Sequence, residues 1–134
     1  MFALVISLLT QLSLAHSLVC QNGDTRIIGQ VNMAQHQIDL TFRYPQATDR
    51  VRTAVKAIGR KDFAFPIPRP GVNYPNSLHI EGEEFKSAEG YRAWLDIFVA
   101  DRSFHRVAFV TSFEVPDFDR GAYQVDVMNC EEVE

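Results

Sequence analysis

The chain has 134 residues, 46% of them hydrophobic and 22% charged. That is enough for one ordinary domain, too short for two, and too apolar for a disordered chain. Formal net charge is −4, and it is unevenly spread. Residues 18–70 hold eight Lys/Arg against four Asp/Glu, and residues 71–134 hold five against thirteen. Basic surface must therefore come mainly from the first half.

Residues 1–14 read MFALVISLLTQLSL, without a charge. The apolar run is too short to span a bilayer. Ala15 and Ser17 follow, two apart, as signal peptidase accepts. The pattern predicts a leader over 1–17, cleaved after Ser17, and an exported, soluble domain over 18–134. No later segment has the length and apolarity of a membrane helix. Cys20 and Cys130 lie near the two ends of that domain. An even cysteine count in an exported chain predicts a disulfide. Closing so long a loop contributes about 4–5 kcal/mol in the chain-entropy model. There is no CxxC and no His near either Cys, so no metal site is expected.

Asn22-Gly23 is a turn signal. Thr25–Val31 is β-branched and apolar. Ile38, Leu40, Phe42 and Tyr44 then alternate with Asp39, Thr41 and Arg43, which predicts two strands joined through Asn32–Gln35. Thr48–Ile58 reads as a helix capped by Thr48 or Asp49 and ended by Gly59, with Val51, Ala54, Val55 and Ile58 as its apolar stripe. Arg52, Lys56 and Arg60 recur at spacing four on the other side and are candidate phosphate ligands. Residues 63–74 hold three prolines and a glycine, which predicts a long loop. Ala93–Val99, His105–Phe113 and Ala122–Met128 read as three more strands. The sum is an α+β domain: one helix packed on an antiparallel sheet, its termini joined by the disulfide.

Several segments then resemble small secreted guanyl-specific fungal ribonucleases. Tyr74-Pro75-Asn76 with Glu81-Gly82 and Phe85 resembles their Tyr-Pro-His … Glu-Gly-Phe segment. Tyr91-Arg92-Ala93-Trp94 stands where the family has a tyrosine shortly before its catalytic Glu. Arg106-Val107-Ala108-Phe109 is similar to its Arg-bearing strand, and Val127-Met128-Asn129-Cys130 to its closing Phe-Val-Glu-Cys. A branch of that family, the ribonuclease-like effectors of powdery mildew fungi, has short exported chains with two cysteines and lost catalytic residues. Its opening Tyr-x-Cys is here Leu18-Val19-Cys20.

Ribonucleases of this kind need a base, an acid and a cation around the scissile phosphate. The resemblance puts Asn76 at the first His, Ala93 at the Glu and Arg106 at the Arg, while no His follows His105 to serve as the acid. Neither Asn nor Ala transfers a proton near neutral pH. The expectation is therefore a pseudo-ribonuclease with no catalytic residue and no cofactor. As a mildew-type effector it would be secreted, with translocation into host cells as a further expectation, and would bind a host protein. RNA is the rival partner, held by Arg106 with Arg52, Lys56 and Arg60 and stacked on Tyr74 or Trp94. The chain is expected as a monomer. Two alternatives stand beside this: an active guanyl-specific ribonuclease using displaced residues such as His79 and Glu81, and an exported structural module.

Overall fold

Alternation of apolar and polar residues, not helical periodicity, organises this chain. The computed structural model describes residues 15–64, 73–100, 104–115 and 122–133. The body of the leader, 1–14, and the centre of the proline-rich segment, 65–72, lie outside the described residues, as do Asp117 and Asp119.

Nine strands form among the described residues: β1 Ala15–Asn22, β2 Thr25–Asn32, β3 Gln37–Arg43, β4 Thr48–Ala64, β5 Asn73–Gly82, β6 Phe85–Lys86, β7 Arg92–Val99, β8 Arg106–Glu114 and β9 Ala122–Glu132. Consecutive strands pair antiparallel except β5 and β6, β9 pairs back to β1, and β5 pairs with β7 past the short β6. Eight strands thus close into an up-and-down barrel, and closure leaves no long sheet edge around its wall.

This overturns the expected helix on an open sheet: the described residues contain no helix. The segment Thr48–Ile58, read as helical, is the first part of β4. Of its expected apolar stripe only Val51 and Val55 are buried, while Ala54 and Ile58 are exposed. Val51, Thr53 and Val55 face inward, and Leu40 and Ile38 of β3 stand opposite Val51 and Thr53. Cations spaced by four share a face in a strand as they do in a helix. Local sequence did not discriminate, and pairing along β3 decided it. The two strands read before it, and the three read after residue 92, are present with small shifts at their ends.

The interior is filled. Eight strands enclose a lumen just wide enough for side chains. Leu18, Ile27, Leu40, Phe42, Leu95 and Phe109 are each at most 2% exposed within one core cluster. Gly29 is required where β2 crosses β3: its φ is +152°, and a Cβ there would stand 2.1 Å from the Asp39 carbonyl oxygen.

Two of the eight seams are short. The β1–β9 seam has Leu18 to Gln21 paired with Glu132 to Asn129, and the β5–β7 seam has Leu78 to Glu81 paired with Val99 to Asp96. The first is crossed by the disulfide between Cys20 and Cys130, which are directly opposite each other and buried in the core. The expected bond between the chain ends is therefore present.

Candidate functional site

The positions carried over from the ribonucleases do not converge. Ala93 is fully buried. It pairs with Phe113 on β8, whereas Arg106 begins that strand. At ~3.3 Å per residue they are roughly 23 Å apart. Asn76 lies away from both, in the outer part of β5. Its backbone is left-handed at φ 49°, and its N–H donates to Asp62 Oδ1 at 2.6 Å. Tyr74 is buried against Phe63, not presented for stacking.

The expected phosphate ligands are divided too. Arg52 Nε is 3.5 Å from Asp39 Oδ2, Lys56 Nζ is 3.6 Å from Glu81 Oε1, and Arg60 donates to the Asn76 carbonyl at 3.5 Å. Arg106 belongs to β8, where it lines a concavity of about 460 Å³ with Val19, Gln21, Asn129 and Glu131. The displaced pair fares no better. His79 Nε2–H donates to Asp96 Oδ1 at 2.7 Å, and its ring lies flat on Phe98 with centroids 4.6 Å apart. Ser77, a buried hydroxyl two residues away, donates to the Lys61 carbonyl at 2.7 Å. A carboxylate orients an imidazole here, but no nucleophile faces it. Among the described residues, no group of three or more His, Cys, Asp or Glu is placed to hold a metal ion.

The cleft at one mouth, between Phe42, Tyr44, Phe85 and Phe113, has a volume of about 40 Å³. That is room for about one water.

What the fold builds instead is on the outside. The β4–β5 ladder has two register shifts, after Val55 and after Lys61, and beyond the stretch of β5 that pairs with β7 its end, residues 61–64 and 73–77, runs on as a hairpin arm. Pro75 and Asn76 fall in the second shift, where a residue without an N–H is tolerated in a strand. The arm turns its aromatic residues onto the outer wall. Phe63 stands 5.6 Å from Tyr74 and 5.1 Å from Phe98, ring centre to ring centre. With Ala108 these form a second apolar cluster, separate from the barrel core.

Beside that cluster runs a groove of about 340 Å³, walled by Lys61, Asp62 and Phe63 of the arm and by Val110, Ser112, Tyr123 and Val125 of β8 and β9. Val110 lies opposite Val125, and Ser112 opposite Tyr123, so their outward faces form one strip. Tyr123 is 58% exposed, and Val110 and Val125 are half-buried. Sequence reading found the β8 and β9 strands but not that Val110 and Val125 face outward side by side. The signal that was present is that β8 is apolar at Val107–Val110 without a break, and that the valines of β9, Val125 and Val127, alternate with the inward Asp126.

Charge is segregated around the wall. On the outer face of β2–β4, Arg26 stands directly opposite Arg43, and Arg50 and Arg52 share the single carboxylate of Asp39. The Arg50 guanidinium holds Asp39 below the usual carboxylate range. On the far wall Arg92 bridges Glu84 and Glu114 and lies 5.3 Å above the Trp94 ring. Glu81 and Asp96 face out beside each other. The charge imbalance between the two halves of the sequence thus becomes two faces of the barrel.

Comparison with protein-family models, with curated proteins and with solved structures finds no match for this chain.

Proposed function

We propose that this chain is an exported, effector-type binding protein without catalysis, and that it captures a host protein in the outer groove beside Tyr123. The observation that carries the reading is that groove: an apolar strip left open on a barrel whose interior is already full. Its occupant is an extended segment of the partner with apolar side chains, lying between the arm and the β8–β9 wall. An exposed tyrosine next to buried aromatics is the kind of anchor that dominates protein interfaces. Export comes from the leader-like first residues, and the host setting comes from the sequence resemblance alone. The barrel replaces the ribonuclease-like scaffold which that resemblance implied, so the reading does not pass through an inactivated nuclease site. The pairing of His79 with Asp96 and of Glu81 with Lys56 speaks against the displaced-residue enzyme.

The test uses a photoreactive phenylalanine analogue in place of Tyr123, with a second at Arg26 on the opposite wall. Crosslinking in host extract followed by peptide mapping should give one partner from position 123, lost when Val125→Asp is added. Equal labelling from both positions would sink the groove reading. Incubating the same purified chain with RNA should leave the RNA intact, and cleavage abolished by His79→Ala would restore the enzyme.

A second reading has its own observation. Arg26 and Arg43 face each other across β2 and β3 with Arg50 and Arg52 alongside, a cationic patch suited to the backbone of RNA. Retention of RNA on filters at low salt, falling steeply with added salt and lost in Arg26→Glu/Arg43→Glu, would favour RNA over a protein partner.

A further inference from the structure

We infer that the leader is removed between Ala15 and His16, not after Ser17, so that the mature chain begins with His16. This rests on the export reading. Ala15, His16 and Ser17 are the first three residues of β1, paired with Asn32, Val31 and Gln30 of β2. His16 is tied down on two sides. Its ring stacks on Phe104 with centroids 4.3 Å apart, and its Nδ1–H donates to Glu132 Oε1 at 2.5 Å. Phe104 is 1% exposed and sits in the left-handed region at φ 56°, so the His16 ring covers a side chain whose backbone is itself constrained. Ser17 accepts the Val133 N–H at its carbonyl and the Gln30 amide at its hydroxyl.

Cleavage after Ser17 would remove all of this and uncover Phe104. It would also start the chain at Leu18, whose side chain is buried in the core and which is the first residue of β1 paired to both β2 and β9. Of the described residues, cleavage after Ala15 removes only Ala15, which is exposed. Hydrolysis of that amide consumes one water, leaving a carboxylate on Ala15 and an ammonium on His16, and keeps the pair of the His16 ring with Glu132. The sequence permits it: Ser13 and Ala15 are small residues two apart, as signal peptidase requires.

The test is N-terminal sequencing and intact mass of the full chain secreted by a fungal host. His-Ser-Leu-Val is expected as the first cycles. A chain beginning Leu-Val, lighter by one His and one Ser, overturns the inference and leaves export standing. A full-length chain kept inside the cell overturns both. A second variant, Ser17→Arg, separates the two cuts by another route. It puts an arginine at the residue before the rejected bond but beyond the inferred one, so normal secretion with an N-terminal His supports the inference and a processing block overturns it.

Discussion

Tyr44 donates its phenolic hydrogen to Asp126 Oδ2 at 2.9 Å, joining β9 to the residue that follows β3 at one end of the barrel. Asp126 lies on the inward side of β9, opposite Phe109. Burial pushes its carboxyl above the ordinary value of 3.8, against the lowering effect of hydrogen bonds from Tyr44 and Gln124. Burial, and the adjacent Asp126, likewise raise the Tyr44 phenol.

The sign of the pH effect follows. A carboxyl whose folded pKa is raised stabilises the fold fully below 3.8 and loses that contribution as pH rises through its folded value. Asp39, held low by Arg50, acts in the opposite sense at more acid pH, weakly because it is exposed to solvent. Asp126→Asn keeps an acceptor for Tyr44 and removes the half-buried charge. Its melting temperature at pH 7 should match or exceed that of the parent, with no loss beyond about 0.5 kcal/mol. The parent's advantage should appear only near pH 4. A variant that loses ground as pH rises would contradict this.

The disulfide has a specific mechanical role. It crosses the seam at which the first and last strands meet, and that seam is short. Cys20→Ala/Cys130→Ala should cost roughly 2–5 kcal/mol, as loss of a native bridge does in small exported domains. The readout is the denaturant midpoint of oxidised and reduced parent beside the variant. Reduced parent and variant should coincide, and an unmoved midpoint would mean that β1 and β9 hold without the bond.

Most strands were legible in the sequence because alternation is visible where one face is buried and the other wet. Ile38, Leu40 and Phe42 against Asp39, Thr41 and Arg43 are the plainest case. Closure was not legible. Nothing local to Leu18 or Glu132 says that they pair, and β1 was hidden by the reading of residues 15–17 as leader. Thr48–Ile58 failed for a different reason: Val51, Ala54, Val55 and Ile58 fit a period of 3.6, and pairing with β3 overrides that local pattern and leaves Ala54 and Ile58 exposed. The groove was invisible because it depends on an arm folding back across strands far away in sequence, at Phe63 and Phe98.

Two glycines make a matched pair for test. Gly29→Ala drives a methyl group into the Asp39 carbonyl at a backbone angle that L residues rarely adopt. Strain and overpacking together should cost roughly 3 kcal/mol or more. Gly59, which the helical reading made a terminator, has nothing within 4 Å of a built Cβ and an ordinary backbone. Gly59→Ala should be neutral or gain about 0.4–1 kcal/mol. Urea midpoints of the two variants decide it, and similar losses would count against the described crossing of β2 and β3.

The second short seam, β5–β7, has no covalent link. It is held from outside instead. His79 reaches across it to Asp96, and Phe63 and Tyr74 clamp Phe98 from above. On this view the histidine–carboxylate pair is a fastening and the arm is its cover, so the groove exists because the seam needs closing. Phe63→Ala removes the clamp. The loss should be about 3 kcal/mol, at the lower end for a buried phenylalanine, because the cluster lies outside the main core. Its distribution is the sharper test. Amide exchange should accelerate at Leu78–Glu81 and along the outer half of β4 while the β1–β2 and β2–β3 ladders keep their protection. Crosslinking from position 123 should fall with it. Uniform acceleration around the barrel would show that the arm is part of the global fold and not a local staple.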